Sequence, residues 1–332
     1  MSTLFNALVS KDAPTLRRAL EPINVLRDAD RTMTYDKDAM IERLTAYDYQ
    51  HATLLEGFGQ LAFIQIDANH VLKIKYHEGE PYAIYIRHLE DESYRRLKID
   101  IAYHGYAYYG FQKQKHFSPT VQETIEDVLM HLLNHPFSLT PAGRTDKGVH
   151  ARKQVIHLDT YSPLSDKQIL DKMNTMLPND IVALHINSVP RVFHARYDAV
   201  MKTYEYRIAK ERNPFMAHTA YYAGDLNSDI LRKVLKQIEG THDFKGLAKD
   251  TKGTKTIRTI ESVRVYETDA WIQVYIQSAG FLRHMVRIIV GGAIRDTKKG
   301  TTTIRDALKN PVANQPKYMA PAQGLYLYDI TY

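Results

Sequence analysis

Cysteine is absent from the 332 residues. That excludes disulfides, thiolate catalysis, iron–sulfur clusters and cysteine-based zinc sites, and it suits a reducing cytoplasm. Long apolar runs are missing as well. None approaches the roughly 20 residues that cross a bilayer, so no membrane association is expected. The opening MSTLFNALVSKDAPTLRR has a short apolar patch, no basic region before it and no small-residue cleavage site, so no signal peptide is expected. Three catalytic or cofactor strings are also lacking: Gly-X-Ser-X-Gly, His-Glu-X-X-His and the dinucleotide-binding glycine fingerprint. Serine hydrolysis, zinc hydrolysis and hydride transfer are left without support.

The rest is an ordinary globular composition, 44% hydrophobic and 25% charged. The length suffices for two domains or one large one with a real core. Lys and Arg outnumber Asp and Glu by 44 to 38, a net charge of +6 and a pI near 9.1. A basic balance favours a polyanionic partner, because each phosphate neutralised releases counterions. The 23 tyrosines supply rings that can stack on unpaired bases, although most belong to strands or core.

Residues 1–95 read apart from the rest. Met40, Ile41, Leu44 and Leu54 give helical spacing over 38–55, and then LAFIQI, VLKIKY and YAIYIRHL, separated by turn residues, predict a three-stranded meander. Glu90 to Ser93 reads as a linker, and no chemical motif stands out before it. From Arg96 strands and helices alternate. Strands are expected over 97–103, 152–158, 180–189, 202–209, 257–266, 271–277 and 325–332. Thr120 with Glu123 forms a capping box ahead of a helical stripe ended by Pro136, and Ser165 with Gln168 opens another helix. Asn227 or Ser228 caps a helix closed by Gly240, and a further helix is expected over 281–295. Strands outnumber helices and many are joined by short turns, so the fold expected is α+β with largely antiparallel sheets, divided as 1–95, 96–200 and 201–332.

Three strings carry chemistry. Ala142-Gly-Arg-Thr-Asp-Lys-Gly-Val-His150 frames Arg144 and Asp146 between two glycines, where a cation beside a carboxylate keeps it ionised for nucleophilic attack. A plain turn around an Asp explains the string too. It fails as a phosphate-binding loop, since Val149 and His150 stand where Lys and Ser or Thr belong. Phe193-His-Ala-Arg-Tyr197 interleaves basic and aromatic residues, and Tyr204 and Tyr206 share one strand face, as a core stripe would. In Gly280-Phe-Leu-Arg-His-Met-Val-Arg287, Arg283 and Arg287 fall at i and i+4 on a helix face suited to phosphate or a carboxylate partner.

In this order the strings resemble the tRNA pseudouridine synthase A family: Gly110-Phe-Gln-Lys-Gln114, Thr120-Val-Gln122, the Gly143–His150 string, Phe193-His-Ala-Arg196, Tyr204-Glu-Tyr206, Met285-Val-Arg287 and Gly324-Leu-Tyr-Leu327. The resemblance spans roughly 96–332. It implies two halves with merging antiparallel sheets around a cleft, a cytoplasmic homodimer acting on tRNA, and uridine isomerisation, in the anticodon stem-loop, that needs no metal or small-molecule cofactor. It implies Asp146 as the nucleophile attacking either sugar or base, Arg144 holding a flipped nucleotide, Tyr204 near the uracil as a candidate base, and Arg287 paired with the aspartate. It further implies Leu325 against the base, and RNA contacts from Phe193, His194, Ala195, Arg196 and Tyr197; Arg283 joins them as the second basic residue of its string. Two departures stand out: His104 replaces the family's usual Asp in Tyr-Asp-Gly, and residues 1–95 lie outside its core. An RNA-binding protein of the same fold without turnover is the alternative, and a glycosidic hydrolase is disfavoured because it needs paired carboxylates.

Overall fold

The computed structural model describes residues 2–27, 33–58, 60–67, 69–77, 79–88, 94–311 and 318–332. Short polar caps start several of the helices. Asp12 caps α2 (Ala13–Ala19), which follows α1 (Ser2–Ser10). After β1 (Val25–Arg27) and β2 (Met33–Thr34) comes α3 (Lys37–Thr45), capped by Asp36. The helix expected over 38–55 stops at this point. Its last turn closes with the Ala46 N–H on Glu42 O, and beyond it Asp48 accepts the Gln50 N–H at 3.0 Å in a side-chain turn that keeps 48–50 out of the helix. Leu54 and Leu55 instead lie in β3 (Thr53–Phe58), paired with β4 (Leu61–Gln65). With β5 (His70–His77) and β6 (Glu80–His88), the expected meander grows to a six-stranded sheet ordered β2-β1-β6-β5-β4-β3. One face packs Ile64, Leu72, Ile74, Ile84 and Ile86 in one core with the three helices; the other sends Leu61, Phe63 and Val71 into the next core. The linker expected at 90–93 lies outside the described residues.

The second sheet has ten strands. They are β7 (Arg95–Tyr103), β8 (Thr140–Pro141), β9 (His150–Thr160), β10 (Ile181–Val189), β11 (Met201–Ala209), β12 (Tyr221–Tyr222), β13 (Gly240–Asp243), β14 (Ile257–Glu267), β15 (Trp271–Ser278) and β16 (Leu325–Thr331). Its main path runs β10-β7-β9-β16-β11-β15-β14-β13, with β8 on β9 and β12 on β11. Among the described residues the parallel pairs are β16 with β9 and β12 with β11 here and β1 with β6 in the first sheet, so the architecture is the largely antiparallel α+β fold expected. The capping boxes at Thr120 and Ser165 form and open α4 (Val121–Leu133) and α5 (Asp166–Met176). Asn134, in the left-handed region, ends α4 two residues before Pro136. Asn227 caps α6 (Ser228–Leu235); Gly240 begins β13 rather than closing that helix. α7 (Met285–Lys299) starts four residues later than expected and is followed by α8 (Thr303–Lys309), which the sequence did not suggest.

One apolar core belongs to α4, α5 and β7, β9 and β10, a second to α6, α7 and β14–β15. β16 lies between β9 and β11 and serves both, since Leu327 and Ile330 enter the first core and Leu325 the second.

Candidate active site

The 142–149 segment crosses from β8 to β9 and is tied down from several sides. Ala142 N–H bonds Val155 O at 2.8 Å, Gln154 Nε2 bonds Gly143 O at 2.9 Å, and Lys202 Nζ bonds Ala142 O at 2.8 Å. Thr145 is held through its hydroxyl by Tyr103 at 2.8 Å and through its carbonyl by the Phe111 N–H at 3.1 Å. The last contact needs Gly110, at φ +93°: a Cβ there would sit 2.8 Å from Thr145 O. Burial pushes the Lys202 ammonium down to about 8, with the Arg196 charge adding to the shift. His150, fully buried at the end of the loop, accepts the Gly105 N–H on Nδ1 at 3.0 Å and reaches Gln323 O with Nε2 at 3.1 Å. It thereby ties the loop to the entry of β16.

This scaffold leaves the Asp146 side chain one-third exposed, with both oxygens engaged. Arg287 Nη1 donates to Oδ2 at 3.2 Å, and His284 Nε2 lies 3.4 Å from Oδ1. Arg287 is itself fixed, with Nε on Ala320 O at 2.9 Å. His284 occupies the left-handed region, φ +60°, immediately before α7. Burial lowers its pKa, against the opposing pull of Asp146, and Nδ1 is buried without a hydrogen-bond partner among the described residues. The neutral ring with its proton on Nε2 therefore presents a donor to the carboxylate. Tyr204, from β11, packs edge-on to Phe281 with centroids 5.0 Å apart. Burial, then the Asp146 charge, raises its hydroxyl well above the usual range, so it stays protonated.

Asp146 opens into a cleft of about 1270 Å³. Seven Lys and Arg side chains line it, and Asp146 is the one acid among the described lining residues. Arg144, Arg196, Arg283, Arg287, Tyr204 and Leu325 of the expected site meet here. The cation on Asp146 is Arg287, the partner the resemblance implied, and not its sequence neighbour Arg144. Two details differ from expectation. Arg283 precedes α7 and pairs with exposed Asp250, so it does not share a helix face with Arg287. The Phe193–Tyr197 segment divides. Phe193 is fully buried against Tyr332 and Ala195 is buried too, so these two side chains build the core and cannot touch RNA. His194 is half-buried, Tyr197 is 67% exposed, and Arg196 lines the cleft.

Sequence reasoning missed His284, Lys202 and Phe281. Lys202 sits two residues before Tyr204, hence on the same strand face, and that spacing was the available signal. Nothing local announced the backbone of His284. His104 lies away from Asp146, in a separate shallow pocket with His150, Asp180 and Tyr326. Among the described residues no cluster of His, Asp or Glu has the makings of a metal site.

A family model described as tRNA pseudouridine synthase matches residues 100–198 and 234–332. The tRNA pseudouridine synthase A of Staphylococcus epidermidis is 34% identical over 241 residues, covering 71% of this chain and 90% of the relative. That of Geobacillus is 37% identical over 246 residues, covering 72% and 98%, and that of Thermoanaerobacter 34% over 249 residues, covering 72% and 100%. The family match begins beyond the whole six-stranded sheet.

Proposed function

The chain belongs to the tRNA pseudouridine synthase family, and from that premise we propose that it converts uridine to pseudouridine in the anticodon stem-loop of tRNA with Asp146 as the nucleophile. One observation carries the reading: a lone carboxylate, held by Arg287 and His284, in a cleft whose other described charged side chains are seven Lys and Arg. The reaction breaks the bond from ribose C1′ to N1 and forms one from C1′ to C5. It is an isomerisation, so it consumes neither oxidant nor water. The C5 proton leaves for solvent, and N1 gains one.

A stem uridine must first leave its stack, at a cost of about a few kcal/mol. Phosphate contacts from Arg144, Lys147, Arg196 and their neighbours offset that cost. The extruded base meets Leu325 and Tyr204 while Asp146 attacks sugar or ring. Because Tyr204 keeps its proton, it serves as a neutral wall against the base; where Asp146 has attacked the sugar, its carboxylate, released as the C1′–C5 bond forms, is the better acceptor for the C5 proton. The reading extends to a cytoplasmic homodimer, as the resemblance implies, and light scattering of the pure chain tests the dimer. Among the described residues no helix is long and apolar enough to cross a membrane.

The decisive experiment is Asp146→Asn, assayed by mass spectrometry of treated tRNA. Product is expected to vanish while tRNA binding persists. Normal pseudouridine formation by this variant refutes the assignment.

A further inference from the structure

We infer that the N-terminal six-stranded sheet positions the tRNA-contacting turn at 193–198, through Lys73 and Lys75 of β5 acting on the buried carboxylate of Asp198. The inference rests on the proposed function, since it takes Arg196 to be a tRNA contact.

The two lysines occupy alternate positions of β5, on the face that sends Leu61, Phe63 and Val71 into the first-half core. Lysines so spaced on a strand ordinarily mark a solvent face. Here both are buried, at 2% and 5% exposure, and Asp198 is buried at 1%. Lys73 Nζ bonds both Asp198 oxygens at 2.7 and 2.8 Å and Val192 O at 3.0 Å. Lys75 Nζ lies 3.2 Å from Asp198 Oδ1 and also donates to Tyr197 O. A buried carboxylate met by two ammonium groups from a separate sheet fixes one relative placement, because any other leaves charge unpaired.

From Asp198 the contacts lead on to the cleft. Its Oδ2 accepts the His194 N–H at 2.8 Å, and its own N–H donates to His194 O at 3.0 Å. His194 Nδ1 accepts the N–H groups of Arg196 and Tyr197 at 3.2 and 3.3 Å. The turn so held directs Arg196 into the cleft beside Lys202, whose ammonium holds the Asp146 loop.

Charge argues against a direct grip by the sheet. Residues 1–94 hold ten Lys and Arg against fifteen Asp and Glu, a net of −5, whereas residues 95–332 hold thirty-four against twenty-three, a net of +11. With Lys73 and Lys75 buried, this balance of charge disfavours phosphate. The sheet's influence on RNA must pass through the turn.

The test is steady-state kinetics of the full chain on tRNA with Lys73→Met, Arg196→Ala and their combination. Lys73→Met is expected to raise KM about tenfold with kcat within about twofold, and the double variant to add little to either single one, because both remove the same contact. A merely structural lysine gives independent losses that multiply, and that result, or an unchanged KM, overturns the inference. Should Lys73→Met fail to fold, Lys75→Met decides in its place, since it keeps the Lys73–Asp198 pair; the expected KM rise is then about threefold, again absorbed by Arg196→Ala. Wild-type turnover separates the two ideas. If the wild type makes no pseudouridine, the functional reading fails; if it does and the KM pattern is absent, only this inference fails.

Discussion

Arg287 and His284 approach Asp146 from one short stretch of chain, the start of α7, and they do different work there. Arg287 brings a permanent charge, and His284 a neutral donor whose direction depends on its left-handed backbone. Asn adopts that conformation readily and keeps a donor, whereas a β-branched residue suits it badly. His284→Asn is expected to retain most activity and stability. His284→Val is expected to lose about 1–2 kcal/mol of stability along with much of kcat, as read by urea unfolding and turnover. Equal behaviour of the two would remove His284 from its place beside Asp146. Asp146, Tyr204 and Arg287 were legible in the sequence as members of collinear strings. Phe193 was expected to contact RNA because the resemblance assigns that role to its whole string, and its burial depends on Tyr332, far along the chain, which no local pattern reveals.

Local chemistry decided how well each element could be read. The capping boxes at Thr120 and Ser165 are complete within four residues, and both helices begin where those boxes put them. The stretch 38–55 went wrong because helical spacing continued past Asp48, whose side chain turns the backbone away, and Leu54 then found a partner strand in β4. The start of α7 was misplaced for a similar reason: the Arg283 carbonyl accepts the Lys249 N–H at 3.1 Å, holding residues 281–284 in a turn. The 142–149 loop likewise depends on a distant element, the Gly110 segment. Gly110→Ala puts a methyl against Thr145 O at 2.8 Å on an unfavourable φ, so the loop must shift. A kcat loss of at least about tenfold, with a stability loss of about 1–3 kcal/mol, is expected from strain of this kind. Unchanged kcat would mean that the loop absorbs the methyl without moving Asp146.

For the molecule as a whole, buried imidazoles are expected to lower stability in acid. Burial is the leading cause that pushes His150 down to about 4 and His157 to about 3, and both are almost fully enclosed. The unfolded chain takes up these protons near pH 6.5, so below that value the unfolded state binds more of them. Stability therefore falls as pH drops, by about 1.4 kcal/mol per pH unit for each histidine, until the folded values are reached. The urea midpoint is expected to decline steadily from pH 7 to pH 5. A flat profile, or one repeated unchanged in a His150→Gln, His157→Gln double variant, would show that other groups govern acid unfolding. The α+β class and antiparallel sheets were legible from strand counts and turn spacing. The strand order was not, because β16 pairs with strands from both halves of the chain.

That placement has a consequence for how the protein is made. While the ribosome is still synthesising the stretch up to 324, β9 and β11 each face the gap that β16 will fill, with backbone donors and acceptors unanswered on both sides. Open strand margins of this sort recruit other chains. A message cut short before residue 325 would thus yield two adhesive borders in place of an inert remnant, and its product belongs to the chaperones and proteases.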